Sequence, residues 1–281
     1  MGTSSMYTGP GGGNPLLPEG YSPENDVMPE RDDKPTKEPE DKKKKDNPEN
    51  DERKIARQEW SKAKANFTRF ANNAKGATAK RSVSSYVRAH GGAKRAGSTA
   101  RSGKKTTTNL GNFLGSLNSI GWSQTFRDYN IDYIGKDVAE VLSLVVNKIG
   151  PEGNTKEDAY ARSALINTME VLYSKVENNE TDMDKFSALD SIAYDEVMQC
   201  YIGEYIYERF IGEMASRLEM HIGNPGTAKE KEDIIKEYIK GTVELKNSDH
   251  KLNKVTYNAK NVKKIIDEIY TSCYSVLEDQ I

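Results

Sequence analysis

Apolar residues recur at helical spacing along most of this chain, and almost nowhere do they alternate with period two. Trp60, Ala63, Phe67, Phe70, Ala71 and Ala74 follow one another at steps of 3, 4, 3, 1 and 3, which puts them on one face of an amphipathic helix. Arg57, Lys62, Lys64 and Arg69 fall around its polar side. After Gly76 the shorter period Ala79, Val83, Tyr86, Val87, His90 predicts a second helix. Leu110, Phe113, Leu114, Leu117 and Ile120 predict a third, and Trp122, Phe126 and Tyr129 carry its apolar face around Gly121. DVAEVLSLVVNKIGP (137–151) reads as a buried helix stopped by Gly150–Pro151. Thr155 and Asp158, three residues apart, form a capping box ahead of a long helix to about residue 176. Further helices are predicted from about 183 or 188 to 222, from a Thr227 cap to about 245, and from about 258 to 278. LNKVTY (252–257) is the one candidate for a short extended segment.

Two stretches lack any such period. Residues 1–54 hold most of the chain's ten prolines, and PERDDKPTKEPEDKKKKDNPENDE (29–52) contains no hydrophobic residue. Such a segment buries too little apolar area to offset roughly 1–2 kcal/mol per residue of backbone ordering, so disorder is predicted. GGAKRAGSTARSGKKTTT (91–108) reads as a flexible basic linker. The expected organisation is all-α: a helical domain (107–281) preceded by a long disordered N-terminal tail (1–54) and a basic, partly helical linker (55–106).

Charge sharpens this division. The chain's net charge of -2 conceals -4 over residues 1–54, +12 over 55–105 and -10 over 106–281. The cations of the middle part, with Lys80, Arg81, Arg88, Lys94, Arg95, Arg101, Lys104 and Lys105 as candidates, suit two kinds of contact if one surface presents them. One is acid on this chain's own helical domain or on an acidic partner. The other is a phosphate backbone, bound without sequence preference and with strong salt dependence.

Familiar chemistry is hard to find. No run approaches the about 18 apolar residues of a membrane span, and no signal peptide pattern is present. A cytoplasmic protein with reduced, packed Cys200 and Cys273 is expected. His90, His221 and His250 lie far apart, without metal or triad spacing. GKKTTT (103–108) lacks the upstream glycine and the strand of a phosphate loop. Glu204, Glu208, Glu213 and Glu219 are expected to form a solvated acidic face. Tyr194, Tyr201, Tyr205 and Tyr207 read as core and interface residues with wet hydroxyls. No enzyme activity and no metal are predicted.

The beginning of the chain is distinctive. MGTSS is followed by the glycine–proline run GPGGGNPLLP (9–18). The myristoylation pattern, which wants Ser or Thr at the sixth residue, is broken by Met6. Together with HGGAKRAGSTARSG (90–103), LGNFLGSL (110–117) and GWSQTFRDYNIDYIGKDVAEVLSLVVNKIGPEGNTKEDAYARSAL (121–165), this start resembles QatB proteins of the bacterial Qat antiphage defence system. The resemblance covers about half of the chain. The lysine-rich insert at 34–45 and the last hundred or so residues carry no matching motif.

The resemblance implies a non-enzymatic subunit working beside an ATPase, a QueC-like enzyme and a TatD-like nuclease. It implies that the QueC-like partner uses ATP to activate 7-carboxy-7-deazaguanine and joins it to the α-amine of Gly2 once Met1 is removed. ATP and the deazaguanine would bind the partner, so no intrinsic cofactor is expected. Thr3, Ser4, Ser5, Gly9, Pro10, Leu16 and Leu17 would be the recognition residues around that acceptor. A nucleic-acid-binding adaptor acting through residues 55–105 remains the alternative.

Overall fold

The longest described helix becomes the axis of the fold. In the computed structural model, which describes residues 48–176, 191–221, 225–247 and 252–279, helix α8 (Ser191–His221) buries Val197, Met198, Tyr201, Ile202, Tyr205 and Phe210 completely. A helix buried on several sides needs a neighbour on each of them. Helices α1 (Pro48–Ala71), α4 (Arg101–Ile120), α7 (Lys156–Val176) and α9 (Pro225–Asn247) supply them. The second hub is α10 (Val262–Asp279). It buries Ile266, Ile269, Tyr270, Cys273, Tyr274 and Leu277 against α9, α2 (Ala79–Ala89) and α3 (Ala93–Thr99). Helices α5 (Trp122–Asp128) and α6 (Val138–Ile149) complete the set, with α6 packed on α7. The described residues contain no strand and all belong to one compact unit.

Local signals place the helix ends where the side chains require them. Asp158 donates its backbone N–H to Thr155 Oγ1 at 3.0 Å, and Thr155 N–H reaches Asp158 Oδ2 at 3.0 Å, so the expected capping box is present. A second box, Asp137 with Glu140, starts α6. Helix α9 begins at Pro225, with Thr227 inside its first turn. A proline at the first helical position forfeits no internal hydrogen bond.

The structure corrects three expectations. Residues 91–108 are a turn followed by α3 and the first two turns of α4, and no flexible linker separates them. Their inner face consists of small residues: Ala93, Ala96, Gly97, Ala100, Gly103, Thr106 and Thr107 are all buried. Glycine here permits close approach, since a Cβ on Gly103 would lie 2.5 Å from the Tyr205 ring. Gly91 and Gly92, with φ near +86° and +85°, make the turn itself.

Secondly, residues 55–106 are integral to the body. The rings of Phe67 and Tyr86 lie 5.3 and 4.9 Å from that of Phe210 on α8. The expected boundary at 106/107 falls inside α4, and α1 begins at Pro48, within the segment assigned to the tail. Thirdly, Leu252–Lys254 forms a 3-10 turn with Leu252 and Tyr257 buried, so LNKVTY is not extended. The remainder of the predicted tail, residues 1–47, and the predicted helix start between 183 and 190 lie outside the described residues.

Candidate functional site

A groove between α10 and the α3–α4 pair gathers cations that the sequence scatters. Arg101, Lys104, Lys105 and Thr108 stand at i, i+3, i+4 and i+7 on one face of α4, the spacing that aligns side chains along a helix. Lys94 and Ser98 continue that wall along α3, and Lys263 faces them from α10. The cavity has a volume of about 800 Å³. Val262 and Ile266 provide an aliphatic floor, with Ile266 almost wholly buried.

Its walls are fixed from behind. Glu157 of α7 accepts the Ser102 backbone N–H at 2.8 Å and the Tyr205 hydroxyl at 2.9 Å, which anchors the first turn of α4. Ser102 Oγ donates to Asp158 at 2.6 Å, and this bond holds the Asp158 carboxyl below its ordinary range. Thr107 Oγ1 lies 2.9 Å from the Tyr270 hydroxyl, joining α4 to α10. Arg209, 6% exposed on α8, donates to the Ala96 carbonyl at 3.0 Å and to Thr99 Oγ1 at 2.8 Å, which fixes α3.

Five cations share the groove with one acid. Lys104 Nζ reaches Asp267 Oδ1 at 2.6 Å and the Ser98 carbonyl at 3.3 Å. Among the described residues, Lys94, Arg101, Lys105 and Lys263 form no ion pair, and all four are exposed. The groove therefore presents an uncompensated positive rim over an apolar floor. Of the eight cations proposed from sequence, Lys94, Arg101, Lys104 and Lys105 meet here. Lys80, Arg81 and Arg88 are exposed on α2, and Arg95 is exposed on α3 beside Gly91. The sequence reading missed Lys263 and Asp267, because nothing in a linear pattern brings the last helix against residues 94–108.

The acids of α8 differ from the solvated face expected of them. Glu204 is 2% exposed and takes Lys240 at 2.8 Å and Lys236 at 3.0 Å. Its burial follows from the packing of α8 between α7 and α9. Glu208 accepts from Asn167 at 3.1 Å, and burial, reinforced by the neighbouring Glu204, pushes its carboxyl upward. Glu213 receives His90 Nε2 at 2.9 Å and faces Arg209 Nε at 3.6 Å. The side chain of Glu219 lies outside the described residues.

The four tyrosines are core residues, and the hydroxyls of Tyr194 and Tyr205 bond within the protein and not to water. Tyr194 donates to the Gly111 carbonyl at 2.8 Å and Tyr205 to Glu157, and burial raises both phenols. Cys200 and Cys273 are free thiols. Among the described residues no group of His, Cys, Asp and Glu could hold a metal ion, and no helix is long and apolar enough to cross a membrane. Gly2, Thr3, Ser4, Ser5, Gly9, Pro10, Leu16 and Leu17 all lie outside the described residues.

Comparison with known proteins is consistent with the resemblance in the sequence. The family model described as Qat anti-phage system associated protein QatB matches residues 91–277, from the turn before α3 to the last turn of α10. The groove lies wholly within that span. No curated protein and no solved structure matches.

Proposed function

The chain belongs to the QatB family, and from that premise we propose that it is a non-enzymatic substrate and scaffold subunit of a Qat complex. Membership itself carries a role in anti-phage defence and partners within the same system. The finer reading is that Gly2, after removal of Met1, accepts a 7-deazaguanine group from a QueC-like enzyme that uses ATP.

One observation supports it above the rest: MGTSS, with its penultimate glycine, leads a Gly/Pro-rich run on the same chain as a QatB body. An α-amine is less basic than a lysine ε-amine, so more of it is an unprotonated nucleophile at neutral pH. Glycine has no Cβ to obstruct a narrow catalytic pocket. Attack of this nitrogen on the acyl-adenylate of the carboxy-deazaguanine forms an amide and breaks the bond to the adenylate. AMP leaves and the amine proton passes to solvent.

Mass spectrometry of the N-terminal peptide, after incubation with the QueC-like enzyme, ATP and the deazaguanine, tests the proposal. A mass increase on the peptide that begins at Gly2 is expected, and it disappears in Gly2→Pro. An unchanged mass in the unaltered protein rules the assignment out.

The cationic rim of the groove favours a second reading, an adaptor that binds nucleic acid. It requires retention on random DNA at low salt that declines steeply as salt rises. Absence of retention at low salt removes it.

A further inference from the structure

We infer that the groove between α3–α4 and α10 is a docking site for an acidic, amphipathic segment of a partner protein. Two properties of the groove select that occupant. Its rim carries Lys94, Arg101, Lys105 and Lys263 without ion pairs among the described residues, which calls for carboxylates or phosphates. Its floor is aliphatic, with half-buried Val262 at the surface and Ile266 beneath it, which calls for branched apolar side chains.

Nucleic acid meets only the first requirement. A single strand gains about 1–3 kcal/mol per base by stacking on aromatic side chains, and among the described residues no aromatic one lines this groove. A helical peptide meets both requirements at once. Glutamates along its edges face the rim, while leucines at i, i+3 and i+4 settle on the floor. The α4 wall from Arg101 to Thr108 runs about 10 Å, or two helical turns, which suits a short segment.

The geometry also explains why this site is preformed. Lys104 is paired with Asp267 in the wall, where it holds α4 to α10, so the helices that carry the rim cations are in place without a ligand. The occupant replaces no internal ion pair when it binds. Specificity and on-rate then come from the rim, and residence time from the floor.

The test uses the full chain and a fluorescein-labelled helical peptide of about 18 residues, with glutamate edges and a leucine stripe, read by fluorescence anisotropy. Binding is expected at about 50 mM salt and is weakened at about 300 mM, because the rim contacts are solvent-exposed. Reversing three rim charges (R101E, K105E and K263E) is expected to weaken it about tenfold or more. The equal reversal K80E, R81E and R88E on α2 is expected to leave it nearly unchanged. A peptide with serine in place of each leucine is expected to bind more weakly.

All substituted positions are exposed, and unchanged circular dichroism and melting temperature establish that each variant is folded. Should the reversal unfold the chain, the milder pair K105Q and K263Q is used, with weakening again expected. Failure of the unaltered chain to bind the peptide overturns the inference. So does equal binding by the rim variant, or equal binding of the serine peptide. Tighter, rim-dependent binding of a random single-stranded DNA of about 20 nucleotides overturns it in favour of nucleic acid.

Discussion

The ring of Tyr205 on α8 fills the space into which any side chain on Gly103 of α4 would have to grow, with Cε1 2.5 Å from the position of a Cβ. The ring is held in place by its hydroxyl, which donates to Glu157, the same carboxylate that accepts the Ser102 N–H. Gly103→Ala is therefore expected to lower stability by about 1–3 kcal/mol through overpacking, even though alanine is the better helix former by about 1 kcal/mol. Thermal melts check this, at about 2–4 °C per kcal/mol for a body of this size. The loss shrinks when Tyr205→Leu is made as well. A Gly103→Ala chain as stable as the original refutes the close approach.

Phe67 of α1 is fully buried, and its ring meets that of Phe210 edge to face. Phe67→Ala is expected to cost about 3–5 kcal/mol, the usual range for emptying such a site. A chain beginning at residue 91, which keeps the whole family-matched span, is expected to lose its cooperative melt, since it strips α1 and α2 from α8. A sharp transition in that fragment contradicts the packing described here.

These two positions show what the sequence could and could not convey. Phe67 stood in an apolar period of large side chains, so its helix and its inner face were legible directly. Gly103 stood in a stretch with the same period, Ala93, Ala96, Gly97, Ala100, Gly103, Thr106, Thr107 and Leu110. Small residues carry that period, and a search for bulky hydrophobics passes over it. Its cations at 94, 101, 104 and 105 were legible as candidates one by one. Their union with Lys263 and Asp267 depends on a tertiary contact across more than 150 residues, which no local pattern records. The buried Glu204 was misread for the same reason: its partners Lys236 and Lys240 sit on α9.

Glu204→Gln leaves the ammonium groups of Lys236 and Lys240 facing a neutral amide inside the α8–α9 contact. A loss of about 1–3 kcal/mol is expected, the range for a charged hydrogen bond. Both lysines are about one-third exposed and can turn toward water, so the lower half of that range applies. Denaturant unfolding of this variant beside Lys240→Met measures it. No change in either variant refutes a stabilising role for the cluster.

Burial, followed by the nearby Glu204, raises the carboxyl of Glu208 in the folded chain. The folded state then holds its proton to higher pH than the unfolded state does. The contribution of this group to stability is accordingly greatest below the unfolded carboxyl range and is lost as pH rises through the folded value. Glu208→Gln removes that loss, because the amide oxygen can still accept from Asn167. The variant is expected to gain on the original at pH 7, and the gain is expected to vanish near pH 4. Paired melts across that window decide the point, and an advantage independent of pH contradicts it.

Burial also pushes the Cys273 thiol up to about 12, and its sulfur packs against the Asn247 amide at 3.4 Å. Thiol reagents need the thiolate. In the native chain at pH 8, half-buried Cys200 is expected to react before Cys273, and both are expected to react promptly after unfolding. Rapid native labelling at Cys273, located by peptide mapping, would contradict its enclosure.

The seam of small residues along α3 and α4 inverts an ordinary judgement about mutational tolerance. A run of glycine, alanine and threonine between lysines suggests a spacer that can be lengthened or redesigned freely. Here Gly97 and Gly103 leave little room for added atoms. Affinity handles and cross-linking groups belong on its outward positions, such as Arg95. One methyl group too many would be felt in α10 at position 97 and in α8 at position 103.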